Sequence, residues 1–217
     1  SNKIEGIVTT ADRIIELMNK KTTPRNRDEE EIMGYRDVLN TIHESYEYIP
    51  SNSNYILQFH RDLFRHSEKG IGGRYKTTQN SIIERDNDGN IYERFKPLSP
   101  YETPDAIDKI CDELNIALDK KDVDSLLLIP VFIHDFLCIH PFSDGNGRMS
   151  RLLTTLLLYK QGYVIGKYIS LESKIEQNKD SYYAALEQSG IGWHENKDNP
   201  VPFIKYILRI ILSAYID

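Results

Sequence analysis

Two apolar helical segments flank the short, charged stretch HPFSDGNGRMSR at residues 140–151. Residues 123–138 are mostly apolar, which predicts a buried helix. Residues 146–160 repeat Leu and Met at helical spacing, which predicts a second helix that packs into a core. Pro141 and Gly145 mark the end of the first helix and the turn into the second. A chain with this pattern must place one His, one Asp and two Arg at the junction of two buried helices.

Most of the remaining chain also has a helical pattern. We expect residues 20–30 to form a polar loop, and Ser53 and Thr103 to mark helix starts. Pro130 is expected to kink the apolar helix that contains it. Apolar residues recur every three or four positions near residues 6–19, 32–49, 53–65, 103–118, 171–188 and 201–215.

One segment departs from this helical pattern. Residues 67–100 are first Gly-rich, and two short β-prone segments then surround Asp88-Gly89-Asn90, which predicts a hairpin over residues 82–96. The chain has 12 Gly and 9 Pro in 217 residues, a composition that favours helices over a many-turned β fold. We therefore predict an all-α, helical bundle-like fold with one β-hairpin, in a single domain over residues 1–217.

Charge and cysteine content narrow the class of protein further. The formal net charge of −6 argues against a nucleic-acid partner, since phosphate backbones are bound by basic surfaces. No apolar run reaches the length that spans a membrane, so no membrane partner is expected. Cys111 and Cys138 lie in apolar helical segments, which favours reduced core thiols and a cytoplasmic location over a disulfide.

The junction at residues 140–151 has the parts of a phosphate site. Gly145, Asn146 and Gly147 would start a helix, where unpaired backbone N–H groups and the helix dipole attract anions. Arg148 and Arg151 are three positions apart, so they share one helical face near that start, and the guanidinium group suits phosphate oxygens. We predict that this segment binds a phosphorylated ligand.

Two further groups in the junction add chemistry to that site. Asp144 precedes the glycines, and a carboxylate beside bound phosphates commonly holds Mg²⁺. A neutral His140 can accept a proton from an attacking hydroxyl near pH 7. Each feature alone is more often a turn, a cap or a solvated face. The prediction of phosphate-linked group transfer depends on all of them occurring within twelve residues.

The junction resembles the signature of Fic-domain proteins, His-Pro-Phe-x-Asp/Glu-Gly-Asn-Gly-Arg-x-x-Arg, at every fixed position. The likeness extends to GGRYKTT at residues 72–78, to the hairpin before FKPLSP, and to KDSYYAAL at residues 179–186. The resemblance implies a Fic fold and a protein adenylyltransferase, which moves AMP from Mg-ATP to a Ser, Thr or Tyr hydroxyl of a protein target. It also implies that His140 is the base and that Asp144 holds Mg²⁺. The implied nucleotide contacts are an anion hole of Gly145, Asn146 and Gly147, with Arg148 and Arg151 on the β- and γ-phosphates.

The resemblance implies two supporting sites. The hairpin over residues 82–96 resembles the family's flap, which pairs with an extended target segment by strand addition. Tyr182 and Tyr183 resemble the aromatic pair that borders adenine, although tyrosines on a helix are more often core residues. The flap residues that would border target and nucleotide are Ile91, Tyr92, Glu93 and Arg94.

The first residues resemble a regulatory motif of the family. Ser1 and Glu5 are four apart and would share a helical face, as in the inhibitory motif Ser/Thr-x-x-x-Glu-Gly/Asn of class II Fic proteins. Glu5 would then pair with Arg151 and repel the γ-phosphate, which would misalign ATP for attack. Residues 1–20 are thus expected to form an inhibitory helix region that begins upstream of the given sequence. Whether this inhibition acts in cis or in trans stays open.

Several alternatives remain at this point. The same pocket could support phosphorylation, phosphocholination or removal of AMP, or the chain could be a nucleotide-gated binding module without turnover. Exposed helical faces leave room for a homodimer. The sequence assigns no role to His60, His66, His134 or Trp193.

Overall fold

The computed structural model describes residues 15–17, 19, 22–85, 90–164 and 171–216. Its described part is helical apart from one antiparallel two-stranded sheet, which confirms the predicted all-α fold with one hairpin. The elements are α1 (Arg27–Ser45), α2 (Ser53–Leu63), β1 (Ile82–Arg85), β2 (Ile91–Phe95), α3 (Thr103–Lys120), α4 (Ser125–Ile139), α5 (Asn146–Lys160), α6 (Leu171–Gln177), α7 (Lys179–Gly190) and α8 (Val201–Ile216).

Helix α4 lies at the centre of the fold and packs against α3, α5 and α8. Its sequence is apolar on almost every side, and Ile129, Ile133 and Phe136 are buried in the core. The helix begins where the Asp124 side chain accepts a hydrogen bond from the backbone N–H of Leu126 at 2.8 Å. Burial of α4 on several faces fixes its last residue, and therefore the position of the junction that follows.

Helix α1 begins earlier than predicted, because part of the expected polar loop is helical. The Asn26 side chain caps α1 by accepting from the backbone N–H of Glu29 at 3.0 Å, and Glu29 accepts from the backbone N–H of Arg25 at 2.8 Å. This reciprocal pairing satisfies two N–H groups at the helix start. The prediction of a loop over residues 20–30 was therefore wrong from Arg27 onward.

Two other predicted boundaries also differ. Asn52, not Ser53, caps α2, because its side chain accepts from the backbone N–H of Tyr55 at 3.1 Å. The helix expected near residues 171–188 is two helices, α6 and α7. Asn178 separates them, and its side chain donates to the carbonyl of Lys174 at 3.1 Å.

The N-terminal prediction lies largely outside the described residues. Residues 15–17 are helical, and Leu17 is buried in the core. Ser1 and Glu5, and with them the expected inhibitory contact, are not among the residues that the structure describes.

The hairpin stands beside α7. Its strands pair in antiparallel register, with Ile83 opposite Glu93, and β2 contacts α7. Phe95 at the end of β2 packs against the rings of Trp193 and His194, with centroids 6.3 and 5.7 Å away. The Trp193 indole also donates to the Asp135 carboxylate at 2.8 Å. Trp193, to which the sequence assigned no role, therefore anchors the base of the hairpin to α4.

Both cysteines are buried free thiols, as predicted. Burial raises the pKa of Cys111 to about 12 and raises that of Cys138 even further above its ordinary value. Within the described residues, no helix has the length and hydropathy required to cross a bilayer.

Candidate active site

A cavity of about 480 Å³ lies between the hairpin, α7 and the junction of α4 with α5. It brings together six of the residues that the sequence predicted for one site, although they are far apart in the chain. These residues are Arg94, His140, Gly147, Arg151, Tyr182 and Tyr183.

His140 ends α4 in a left-handed backbone conformation, with φ 52°. Its backbone N–H closes the last turn of the helix by donating to the Phe136 carbonyl at 2.9 Å. The ring Nδ1 lies 3.3 Å from the Leu137 carbonyl. Since a carbonyl can only accept, Nδ1 carries the proton in this contact, and Nε2 is the basic nitrogen of the neutral ring. This tautomer suits a general base whose ring lines the cavity.

Phe142 anchors the loop that follows His140. The ring is fully buried and stacks on His60, with centroids 3.7 Å apart and an interplanar angle of 4°. The Asn146 side chain bonds both backbone groups of Phe142, accepting from its N–H at 2.9 Å and donating to its carbonyl at 2.7 Å. Asn146 therefore holds the shape of the loop, and it is not among the residues that line the cavity.

Gly145 makes the sharp turn into α5. Its φ is +85°, and a Cβ there would lie 2.9 Å from the Phe64 ring. Glycine is required both for the backbone conformation and for the space. The turn presents the start of α5 to the cavity through Gly147.

His60 supports the same loop, which the sequence did not suggest. Its Nδ1 accepts from the backbone N–H of Gly73 at 3.0 Å, so the proton is on Nε2, which donates to the Asp144 carbonyl at 3.0 Å. Burial lowers the pKa of His60 to about 4 and keeps the ring neutral at physiological pH. His60 and Asp144 are 84 positions apart. No local pattern could have linked the two residues.

Asp144 lies in a cluster of cations. Its carboxylate is 2.6 Å from Lys69 Nζ, 3.3 Å from Arg148 Nη2 and 3.6 Å from Arg27 Nη2. Burial acts to raise the pKa of Asp144, but the Lys69 hydrogen bond and the charge of Arg148 together hold that pKa below its ordinary value. Asp144 is therefore ionised and able to hold a cation.

Arg148 lies in a buried cluster of charged side chains. It is 2% exposed, and its Nη1 lies 2.8 Å from Oε2 of Glu31, which is equally buried. The contact is an ion pair by distance but is not aligned as a hydrogen bond. The guanidinium also lies 5.1 Å from the centroid of the Phe64 ring. The prediction had both arginines facing phosphate, whereas only Arg151 lines the cavity.

Among the residues predicted for the adenine pocket and the flap, Tyr182, Tyr183 and Arg94 line the cavity. Tyr182 packs into the core against Tyr206 and also lines the cavity with Tyr183. From the hairpin, Arg94 donates to the Tyr183 carbonyl at 2.7 Å and to the Glu187 carboxylate at 2.9 Å. This bridge joins the hairpin to α7 across the cavity.

Two residues at the start of β2 are accessible. Ile91 is 60% exposed and Tyr92 45% exposed, and β2 is one edge of the two-stranded sheet that the described residues form. Glu93 accepts a hydrogen bond from the Ser81 hydroxyl at 2.5 Å. An open strand edge with exposed apolar side chains can pair with an extended segment of another chain.

The donor set fits Mg²⁺ bound together with phosphates. The described residues contain no cluster of three or more His, Cys, Asp or Glu side chains that could enclose a metal. Mg²⁺ is commonly held by one or two carboxylates, with phosphate oxygens and waters as its other ligands. Asp144, ionised and next to the start of α5, can supply that one carboxylate.

Comparison with known proteins identifies relatives of this chain. The model of the Fic/DOC family matches residues 50–158. A protein adenylyltransferase, fic-1, of Caenorhabditis elegans is 28% identical over 71% of this chain and 26% of its own length. A protein adenylyltransferase Fic of Nematostella vectensis is 26% identical over 96% of this chain and 45% of its own length. The chain therefore spans less than half the length of these curated relatives.

Solved structures show the same architecture. A Fic domain containing signaling protein from Bacteroides thetaiotaomicron superposes with a TM-score of 0.76 at 26% identity. The match covers 98% of this chain and 82% of that protein.

Proposed function

Since the chain belongs to the Fic/DOC family, we propose that it is a protein adenylyltransferase built on a single Fic-type domain. It transfers AMP from Mg-ATP to a Ser, Thr or Tyr hydroxyl of a target protein, and to itself. The two relatives from Caenorhabditis elegans and Nematostella vectensis, both named protein adenylyltransferases, support this proposal. The observation that carries it is the shared cavity, which joins His140 and Arg151 to Tyr182 and Tyr183.

The reaction needs a base, and His140 supplies it. Nε2 accepts the proton as the target hydroxyl oxygen bonds to the α-phosphorus of ATP, and the bond from that phosphorus to the bridging oxygen breaks. Pyrophosphate leaves with the electron pair, and AMP stays on the target. Mg²⁺, held by Asp144 and phosphate oxygens, would offset the negative charge of the triphosphate.

The start of α5 and Arg151 orient the triphosphate in this proposal. The N–H groups at the helix start, with Gly147 lining the cavity, form the anion hole. Arg151 meets the terminal phosphates. Arg148 acts through Asp144 instead, because its charge is taken up by Glu31 and Asp144 in a buried cluster.

The hairpin and α7 recognise the two substrates. A target segment pairs with the open edge of β2 along residues 91–94, and Tyr182 and Tyr183 border the adenine.

The two buried free thiols are compatible with a reducing, cytoplasmic compartment.

The enzyme is further proposed to be autoinhibited. Glu5 would compete with the γ-phosphate for Arg151, as the sequence motif implies. Because Glu5 lies outside the described residues, this part of the proposal rests on the sequence motif alone. Substitution Glu5→Gly is expected to raise AMP transfer, including self-modification, and equal rates in the two proteins would contradict the inhibition.

Labelled ATP tests the function directly. The purified chain and its Glu5→Gly variant are incubated with Mg²⁺ and either α-labelled or γ-labelled ATP. Protein labelled only from the α-phosphate, and unlabelled after His140→Ala, supports AMP transfer. Label from the γ-phosphate indicates phosphorylation, and ATP binding without any label indicates a binding module. Either result overturns the proposal.

A further inference from the structure

A buried lysine outside the cavity contacts the main chain on both sides of His140. Lys76 is 3% exposed. Its Nζ donates to the Ile139 carbonyl at 2.8 Å, and its backbone N–H donates to the Pro141 carbonyl at 2.8 Å. A single residue thus holds the carbonyls of the two residues that flank His140.

Asn80 extends this contact to the next residue of the loop. Its side-chain oxygen accepts from Lys76 Nζ at 3.1 Å, and its nitrogen donates to the Phe142 carbonyl at 3.1 Å. The Ile139 carbonyl is at the end of α4, where helical carbonyls lose their partners, and buried carbonyls need a donor. Lys76 and Asn80, together called the loop brace, supply donors to three carbonyls around His140.

Lys76 is a buried cation at a position where a neutral donor would destabilise the fold less. No carboxylate among the described residues pairs with the Lys76 ammonium, and burial lowers the pKa of Lys76 to about 8. A buried charge of this kind destabilises the fold compared with a neutral donor. The residue that it brackets, His140, has φ 52°, a conformation that persists only where its surroundings hold it.

We propose that Lys76, assisted by Asn80, is a positioning residue that fixes the left-handed backbone of His140 and so aims its ring into the cavity. The inference deepens the proposed function, on which its kinetic part rests. The ring follows the backbone, and a displacement of about 1 Å in a reacting group can lower a rate by about 100-fold. Lys76 itself is not among the residues that line the cavity, and it is not one of the nucleotide contacts assigned above.

The test replaces the ammonium and keeps the length of the side chain. Lys76→Met is introduced into the full chain in the Glu5→Gly background. Lys160→Met is the matched control, because Lys160 Nζ also donates to a main-chain carbonyl, that of Ile49 at 2.7 Å, far from the loop in sequence. The maximal rate of self-modification, the ATP concentration at half-maximal rate, and the ¹⁵N shifts of the His140 ring are measured.

Lys76→Met is expected to lower the maximal rate by about 10- to 100-fold and to leave the half-maximal ATP concentration within about twofold. The ¹⁵N shifts should show a larger fraction of the other neutral tautomer, since the contact of Nδ1 with Leu137 depends on the loop. Lys160→Met should retain the rate and the shifts. A brace variant with an unchanged rate or an unchanged tautomer overturns the inference.

A second variant separates this result from a failure to fold, and the tautomer measurement separates it from a failure of the proposed function. If Lys76→Met does not fold, Asn80→Ala removes the Phe142 contact of the loop brace from a partly exposed position, and a rate loss of about three- to tenfold with unchanged ATP dependence is expected. An unchanged rate in this variant overturns the brace. If the parent protein transfers no AMP, the proposed function fails, whereas the His140 tautomer still tests the brace.

Discussion

At the scale of single residues, the junction depends on side chains that do no chemistry themselves. His60, Asn146 and the loop brace satisfy the backbone groups of the loop that carries His140. His60, Asn146 and Lys76 lie in the interior, so each must match its partner in protonation and shape. Two predictions concern individual residues that form or support this loop.

The neutral state of His60 makes stability depend on pH. The folded protein binds this proton only near pH 4, whereas the unfolded chain binds it near the ordinary histidine pKa of 6.5. Because the unfolded state takes up the proton first, the free energy of unfolding should fall by about 2 kcal/mol between pH 7 and pH 5. Urea unfolding of the parent and of His60→Gln measures this effect. Identical pH slopes in the two proteins would contradict it.

Gly145 is constrained both by conformation and by space. Gly145→Ala adds a Cβ at positive φ and 2.9 Å from the Phe64 ring. Gly162 has a similar φ of +86°, and a Cβ there meets nothing within 4 Å. We expect Gly162→Ala to cost about 1 kcal/mol and Gly145→Ala about 1–3 kcal/mol more, measured by chemical denaturation. Equal losses would show that the Phe64 contact is unimportant.

At the scale of secondary-structure elements, the early start of α1 matters for the site. Its first turns place Arg27 and Glu31 beside Lys69 and Asp144, and Glu31 also pairs with Arg148. The N-terminal end of α1 therefore supplies the negative charge that pairs with Arg148 in the first turn of α5. Without α1, Arg148 would be a buried cation with Asp144 as its remaining ion-pair partner among the described residues.

Removal of the Glu31 charge tests this role of α1. Glu31→Gln should lower the free energy of unfolding by about 3 kcal/mol, since loss of one partner leaves a buried guanidinium undercompensated. Glu113→Gln is the control: Glu113 forms an exposed pair with Lys109 at 3.8 Å and should cost less than about 0.5 kcal/mol. Denaturant titration measures both variants, and comparable losses would refute the special role of Glu31.

At the scale of the whole molecule, the cavity is formed by several segments between residues 81 and 191. The hairpin, the end of α4, the start of α5 and the length of α7 each contribute part of its wall. Arg94 ties the hairpin to α7, and Trp193 ties the base of the hairpin to α4. A ligand that fills this cavity contacts all these elements at once, so its binding should stabilise the entire fold.

ATP binding should therefore raise the free energy of unfolding. At an ATP concentration about 100 times Kd, the free energy of unfolding should rise by about 2.7 kcal/mol. Arg151→Ala should reduce this gain by about 1.5 kcal/mol at the same ATP concentration, because a charge-assisted contact with phosphate is lost. Arg209→Ala, an exposed position on α8, should keep the full gain. Denaturant unfolding with and without Mg-ATP measures all three proteins, and an equal gain in Arg151→Ala would remove Arg151 from the phosphate site.

The sequence by itself determined the fold class, the helix α5 at residues 146–160, the hairpin and the segment that contains His140. These features follow from local rules of periodicity, turn chemistry and a long contiguous motif. The cap at Asn26 was also readable, since Asn followed by Glu three positions later is a local signal, but it was missed. Local rules act within a few residues, so such features need no knowledge of the rest of the chain.

Tertiary structure alone decided which residues support the site and which arginine faces it. His60 and Lys76 meet the loop across large separations, 84 positions in the case of His60 and Asp144. The pairing of Arg148 with Glu31 depends on how α1 packs against α5. Two arginines three positions apart are equivalent by local rules. Both are buried, and they become different only in the fold, where Arg148 meets Glu31 and Asp144 and Arg151 lines the cavity.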